Sequence, residues 1–223
     1  MLLCAITDRR LLGADAATQR EGLVRQAQLW AENGVALIQI REKGLPASEQ
    51  IALVRAMRRA LQPVRTSAQG QTRLLLNAPI EIALAAGADG MHLPAACAAE
   101  TLRALRSGSV AGAGRLWVSV SCHTLAEVEL ARDAGADCIL FAPVFGKEIR
   151  PPQATPASPS PETLPGVGLD ALAAACRAAQ PVPVLALGGV TAENAAACIA
   201  AGASGIAAIR LFCEPPSTWS ALR

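Results

Sequence analysis

A closed (β/α)8 TIM barrel in the α/β class is the fold this 223-residue chain predicts, and three observations predict it. Apolar runs of four to six residues alternate with longer helical patterns eight times, the signature of repeated strand–helix units. A small repeat, Ala86-Gly87-Ala88-Asp89-Gly90, Ala134-Gly135-Ala136-Asp137-Cys138 and Ala201-Gly202-Ala203-Ser204-Gly205, sets a glycine suited to a helix C′ position just before a strand, so the bottom loops are tight. Apolar residues make up 52% of the chain and charged residues 17%, which suits a large parallel core covered by alanine-rich helices. Residues 1–223 are expected to form one domain. A doubly wound open sheet is the alternative, but no Gly-x-Gly-x-x-Gly follows the first strand.

The pattern predicts strands at Leu2–Ile6, Val35–Ile40, Arg73–Leu76, Gly90–Leu93, Leu116–Val120, Cys138–Phe141, Val182–Leu187 and Gly205–Ile209. Helices are expected at about Thr18–Asn33, Ala47–Leu61, Ile80–Ala86, Ala98–Arg106, Leu125–Ala134, Leu169–Ala179, Ala192–Ala201 and Thr218–Leu222. Thr124-Leu125-Ala126-Glu127 has the Thr-x-x-Glu form of a capping box, which makes Thr124 the N-cap of the fifth helix. One long top-side loop, Gly146 to Gly168, carries six prolines that exclude a helix or a central strand. A loop of that length reads as a lid or a disordered segment.

Several classes are set aside. Gly, Asp, Arg or Glu interrupts every apolar run before the roughly 18 residues a membrane span needs. The opening MLLCAITDRR reads as a first strand and not as a signal peptide. Seven scattered cysteines without a C-x-x-C pair argue against a disulfide framework or zinc site, so a reducing cytoplasm is the expected setting. A net charge of +2, no Tyr and only three Phe and three Trp give neither a phosphate-tracking stripe nor a stacking platform for nucleic acid. The expected partner is a small molecule, with homo-oligomerisation left open.

The candidate site lies at the C-terminal ends of the strands, where α/β barrels bind ligands. Strand two ends Gln39-Ile40-Arg41-Glu42-Lys43, and period two puts Gln39, Arg41 and Lys43 on one face. If the isoleucines meet the outer helices, these three rise into the mouth, where they suit a phosphate or carboxylate. The competing reading makes Arg41 and Lys43 solvated residues paired with Glu42. Asn77 ends strand three, either orienting a ligand or capping the next turn. His92, before Leu93-Pro94, reads as a satisfied core histidine. Gly188 and Gly189 end strand seven before a helix, a place for phosphate, and Arg210 after strand eight adds a cation. His123, between strand five and its helix, is the candidate for proton transfer, with Ser121 on the same face. Its alternative is a staple packed on Val128.

With these residues in place the chain resembles the thiamine-phosphate synthase/TenI family over nearly its full length. The matching segments are Ala5-Ile6-Thr7-Asp8, Gln39 to Lys43, Leu76-Asn77, His92-Leu93, Ser121 to Thr124, Pro143-Val144-Phe145 and Ala186 to Val190. The resemblance implies a (β/α)8 barrel acting late in thiamine biosynthesis. Synthases of this family join a pyrimidine pyrophosphate to a thiazole phosphate with Mg²⁺ held by two aspartates. Ala78 and Cys97 stand at those positions here, and Gly146 to Arg150 replaces the synthases' Thr-x-Thr-Lys loop. The resemblance therefore implies the TenI-like thiazole tautomerase branch, with His123 moving a proton on a thiazole carboxylate phosphate and neither cofactor nor metal required. A synthase with a diverged Mg²⁺ site, using Asp89 or Glu100, is one alternative, and a silent barrel that binds thiazole or thiamine phosphate is another.

Overall fold

In a computed structural model that describes residues 1–65, 72–112, 116–149 and 162–222, eight parallel strands close into a barrel. They are β1 (Leu2–Ile6), β2 (Leu37–Ile40), β3 (Arg73–Leu76), β4 (Gly90–Pro94), β5 (Trp117–Cys122), β6 (Cys138–Phe141), β9 (Val184–Leu187) and β10 (Gly205–Ala208), with β7 (Lys147–Ile149) and β8 (Glu162–Leu164) forming an antiparallel hairpin apart from the wall. Around the barrel the order is β1, β10, β9, β6, β5, β4, β3, β2. The helices are α1 (Ala16–Glu32), α2 (Ala47–Arg65), α3 (Ile80–Ala86), α4 (Ala95–Arg106), α5 (Leu125–Asp133), α6 (Gly168–Ala178), α7 (Ala195–Ala200) and α8 (Pro216–Trp219). The single-domain (β/α)8 expectation holds.

Several boundaries differ. The second and seventh predicted strands start two residues late: the Val35 and Val182 amides still bond back to Trp30 and Ala179 in the turns that leave the preceding helices. Strand β5 runs on to Cys122, two residues further than expected. The proline-rich loop holds the β7–β8 hairpin, which period and composition did not announce. Residues 150–161, where the expectation of a lid or disordered segment mostly falls, lie outside the described residues. Among the described residues no helix is long and apolar enough to cross a membrane, and all seven cysteines are free.

Strand alternation sorts the core into two parts. Outward-facing Ile38, Ile40, Leu74, Leu76, Met91, Val118, Val120, Ile139 and Ile206 pack under the helices. Inward-facing Cys4, Ile6, Leu37, Leu75, Cys138, Leu140, Leu185 and Ala207 fill the barrel. The seam between the first and last strands is clamped from outside: Trp30 on α1 donates to the Phe212 carbonyl at 2.8 Å, and Phe212 meets Trp30 and Trp219 edge-on.

The alanine–glycine repeat does the work expected of it at the bottom. Gly87, Gly135 and Gly202 all take positive φ after their helices. The aspartates that follow have a further role. Asp89 accepts from the Leu74 amide at 2.8 Å and pairs with Arg58 of α2, while Asp137 accepts from the Val118 amide at 2.8 Å and pairs with Arg106 of α4. Each carboxylate thus ties a strand start to a helix. Asp89 is therefore at the opposite end of the barrel from the mouth and cannot supply the Mg²⁺ ligand considered above; Glu100 is an exposed residue of α4.

The fifth repeat position is glycine twice for a steric reason. A Cβ on Gly90 would stand 2.0 Å from the Trp117 carbonyl oxygen, and one on Gly205 would stand 1.9 Å from that of Leu2. Gly90→Ala should therefore destabilise the protein by about 3 kcal/mol, read as a lowered urea midpoint at unchanged slope.

Candidate active site

The mouth is built by four neighbouring strands that turn polar at their inward positions. Leu37 faces inward, so Gln39 does too, as the sequence expected, with Ile38 and Ile40 outward. Gln39 is buried and its Oε1 has no partner among the described residues. Arg41 is half-buried just beyond the strand, its amide donating to Thr7 Oγ1 at 3.0 Å. Period two carries no further, because residues 43 and 44 form a turn and Lys43 is exposed. Glu42 pairs with neither cation beside it. It is buried, accepts the Arg9 amide at 3.2 Å and lies 3.9 Å from the Arg9 guanidinium. The reading of Arg41 and Lys43 as partners of Glu42 is set aside on that ground.

Asn77 ends β3, half-buried, with its amide on the Ile40 carbonyl. It does not cap α3, whose N-cap is Pro79 without a side-chain bond. Beside it, His92 on β4 is the satisfied core histidine expected. Its Nδ1 lies 2.8 Å from Ser119 Oγ and its Nε2 lies 3.3 Å from Ser121 Oγ, both serines on the inner face of β5. Burial, helped by the nearby Arg41 cation, pushes its pKa from 6.5 down to about 3, so the ring is neutral. Ser121 is thus engaged by His92 and not by His123. Ser119 is a site residue that sequence reasoning misses, although Trp117-Val118-Ser119-Val120-Ser121 alternates as plainly as strand two. Cys122 faces the outer core, where burial pushes its thiol up to about 12 and leaves it no nucleophilic role.

His123 follows β5 at the rim. The predicted capping box is present: Thr124 Oγ1 accepts the Glu127 amide at 3.2 Å, and Glu127 Oε2 accepts the His123 amide at 2.6 Å and the Thr124 amide at 3.2 Å. The imidazole is exposed, with Nδ1 2.7 Å from the Ala142 carbonyl after β6. A carbonyl only accepts, so Nδ1 carries the hydrogen of the neutral ring and Nε2 keeps its lone pair. That bond gives the ring an orientation that a hydrophobic staple would not.

Gly188 and Gly189 end β9, but the expected helix N-terminus is not there: α7 begins only at Ala195, and Asn194 braces the turn by bonding the Gly189 carbonyl and the Thr191 amide. Both glycines have positive φ, and their absent Cβ atoms would stand 2.7 Å from Pro143 Cα and from the Gly146 oxygen. Close packing against the segment after β6 requires them whether or not they hold phosphate. Arg210 is exposed, next to the short 3-10 helix Leu211–Cys213, with no side-chain hydrogen bond among the described residues.

The fit of a divalent cation is poor. Among the described residues no group of three or more His, Cys, Asp or Glu is placed to hold a metal. Ala78 packs against the outer core, and Cys97 is exposed in the first turn of α4, its thiol directed to the Pro94 carbonyl at 3.7 Å. Soft sulfur is a weak ligand for Mg²⁺.

The neutral His92 has a consequence for acid stability. A folded-state pKa below the unfolded 6.5 means the unfolded chain binds the extra proton, so stability falls as pH drops from about 6.5 towards 3. Denaturation midpoints should show a loss approaching about 1.4 kcal/mol per pH unit in the middle of that window, absent from His92→Gln.

The family model described as thiamine monophosphate synthase matches residues 3–212. A putative thiamine-phosphate synthase of Geobacter sulfurreducens is 40% identical over 96% of this chain and 87% of its own. A thiamine-phosphate synthase of a Roseiflexus species is 32% identical over 100% of this chain and 82% of its own. Among solved structures, thiamine phosphate pyrophosphorylase from Pyrococcus furiosus superposes with a TM-score of 0.71 over 100% of this chain and 93% of that one, at 23% identity, a likeness of fold. The relatives' names point to synthases and none to the tautomerase branch expected above. On the family match and these identities, the chain belongs to the thiamine-phosphate synthase/TenI family and so to thiamine biosynthesis.

Proposed function

We propose that this barrel isomerises a thiazole carboxylate phosphate by proton transfer through His123, without a metal. The observation that carries the reading is the strand order. Going round the mouth, Gly188 and Gly189 follow β9, His123 is held between β6 and β5, and the polar quadrant of Ser121, Asn77 and Arg41 continues through β3 to β2. A ligand with its phosphate at the β9 turn, near Arg210, and its carboxylate on the quadrant would lay its ring beside the His123 imidazole. Nε2 takes the proton from the saturated ring carbon and returns it to a carbon outside the ring, which leaves the ring aromatic, while the Nδ1 bond to Ala142 holds the imidazole's orientation throughout. Lys43 lies exposed beyond the mouth and contributes charge rather than a fixed contact.

The second reading is the synthase, and it rests on the names of the relatives. Its difficulty is chemical: departure of pyrophosphate needs positive charge at the leaving group, and the positions the family uses for Mg²⁺ ligands hold Ala78 and Cys97.

One pair of assays separates the two. Purified protein with EDTA and the non-aromatic thiazole tautomer, followed by NMR, should give the aromatic product, with His123→Ala slower by about a hundredfold or more. With Mg²⁺ and both heterocyclic phosphates, no thiamine phosphate should form. Product in the second assay, or unchanged turnover in His123→Ala, would overturn the tautomerase.

A further inference from the structure

We propose that Ser119 and His92 together leave the Ser121 hydroxyl proton free for the mouth, where it meets an acceptor on a ligand, a carboxylate oxygen. The inference rests on Ser121 facing the ligand's carboxylate in the reading above. A neutral imidazole carries one N–H, so of the two serines at its ends one gives a hydrogen to the ring and the other receives one. Two arrangements are possible. In the first, Ser119 donates to Nδ1 and Nε2–H donates to Ser121 Oγ. In the second, Nδ1–H donates to Ser119 and Ser121 donates to Nε2.

Burial decides between them. Ser119 is 1% exposed, and among the described residues its hydroxyl has no hydrogen-bond partner except His92. The second arrangement would leave the Ser119 proton buried and unbonded, which is disfavoured. The first uses it. His92 is itself 4% exposed, so no solvent competes for the ring. The Arg41 guanidinium beside it and the burial of the ring both disfavour a second ring proton, which would erase the distinction.

With Nε2–H pointing at its oxygen, half-buried Ser121 keeps its own proton for the mouth. Arg41, a cation without an ion pair among the described residues, follows β2 on the same polar side of the mouth and acts on the same His92, so both residues present positive partial charge to that side. Ser119 touches no ligand; it is a positioning residue acting through His92.

Ring-nitrogen NMR tests this directly, because the chain has only two histidines and His123→Ala leaves His92 alone in the spectrum. The ligand-free protein should show the proton on Nε2 and a hydrogen-bonded, unprotonated Nδ1. Ser119→Ala should move Nδ1 towards the position of an unbonded nitrogen, and Ser119→Thr should not. A proton on Nδ1 would overturn the proposal. A binding arm adds the ligand: Ser121→Ala should weaken the thiazole carboxylate phosphate about tenfold and leave the thiazole phosphate lacking the carboxylate unchanged. Equal losses for the two ligands would also overturn it. If neither thiazole binds, the functional reading falls while the ring spectrum still decides the polarity of the relay.

Discussion

The structure depends on the strict alternation of side chains along strands that are closed into a ring. Every outward position of β2 to β6 must fit under a helix, and Ile38, Ile40, Leu74, Leu76, Met91, Val118, Val120 and Ile139 do so. The inward positions answer only to one another. They can therefore be apolar low in the barrel, with Cys4, Leu37, Leu75 and Cys138, and polar towards the mouth on one side, with Gln39, His92, Ser119 and Ser121. From β6 onward Leu140, beside Ser121, and then Leu185 and Leu187 stay apolar. A mouth with one polar and one apolar wall suits a flat heterocycle carrying an anionic group.

That same alternation set how much could be read from the sequence. Strand two was legible because its polar residues recur at every second place against a purely aliphatic other face, and the structure puts Gln39 and Arg41 where parity required. Lys43 failed because parity lapses once the chain leaves the wall. Thr124 and Glu127 were legible because a capping box is a local arrangement of four residues, and it placed His123 at the strand–helix junction. The bond from its ring to Ala142 was not legible, since it joins residues 19 apart in sequence on neighbouring strands. Ser119 obeys the same period-two rule but carries no functional signal by itself, because serine in a strand gains a role only when a histidine lies against it. The glycines after β9 read as a phosphate turn in the sequence, while their contact with Pro143 and Gly146 needed the fold.

The family match spans residues 3–212, the whole barrel, and relates this chain to proteins named thiamine-phosphate synthases. The chemistry hangs on a few mouth positions, and here two of them, Ala78 and Cys97, are not hard-oxygen ligands. What is left at the rim is an oriented imidazole between a glycine turn and a cationic, hydroxylated quadrant. Those are the parts on which the proposed proton transfer rests.

The central claim is that this quadrant and the β9 turn together form one ligand site with His123 between them. Amide chemical-shift mapping with the thiazole carboxylate phosphate tests it most directly. Shifts confined to Arg41, Asn77, Ser121, His123 and the Gly188–Gly189 turn are the predicted result. Shifts that spare His123, or that cluster at the Asp89 and Asp137 end of the barrel, would contradict it.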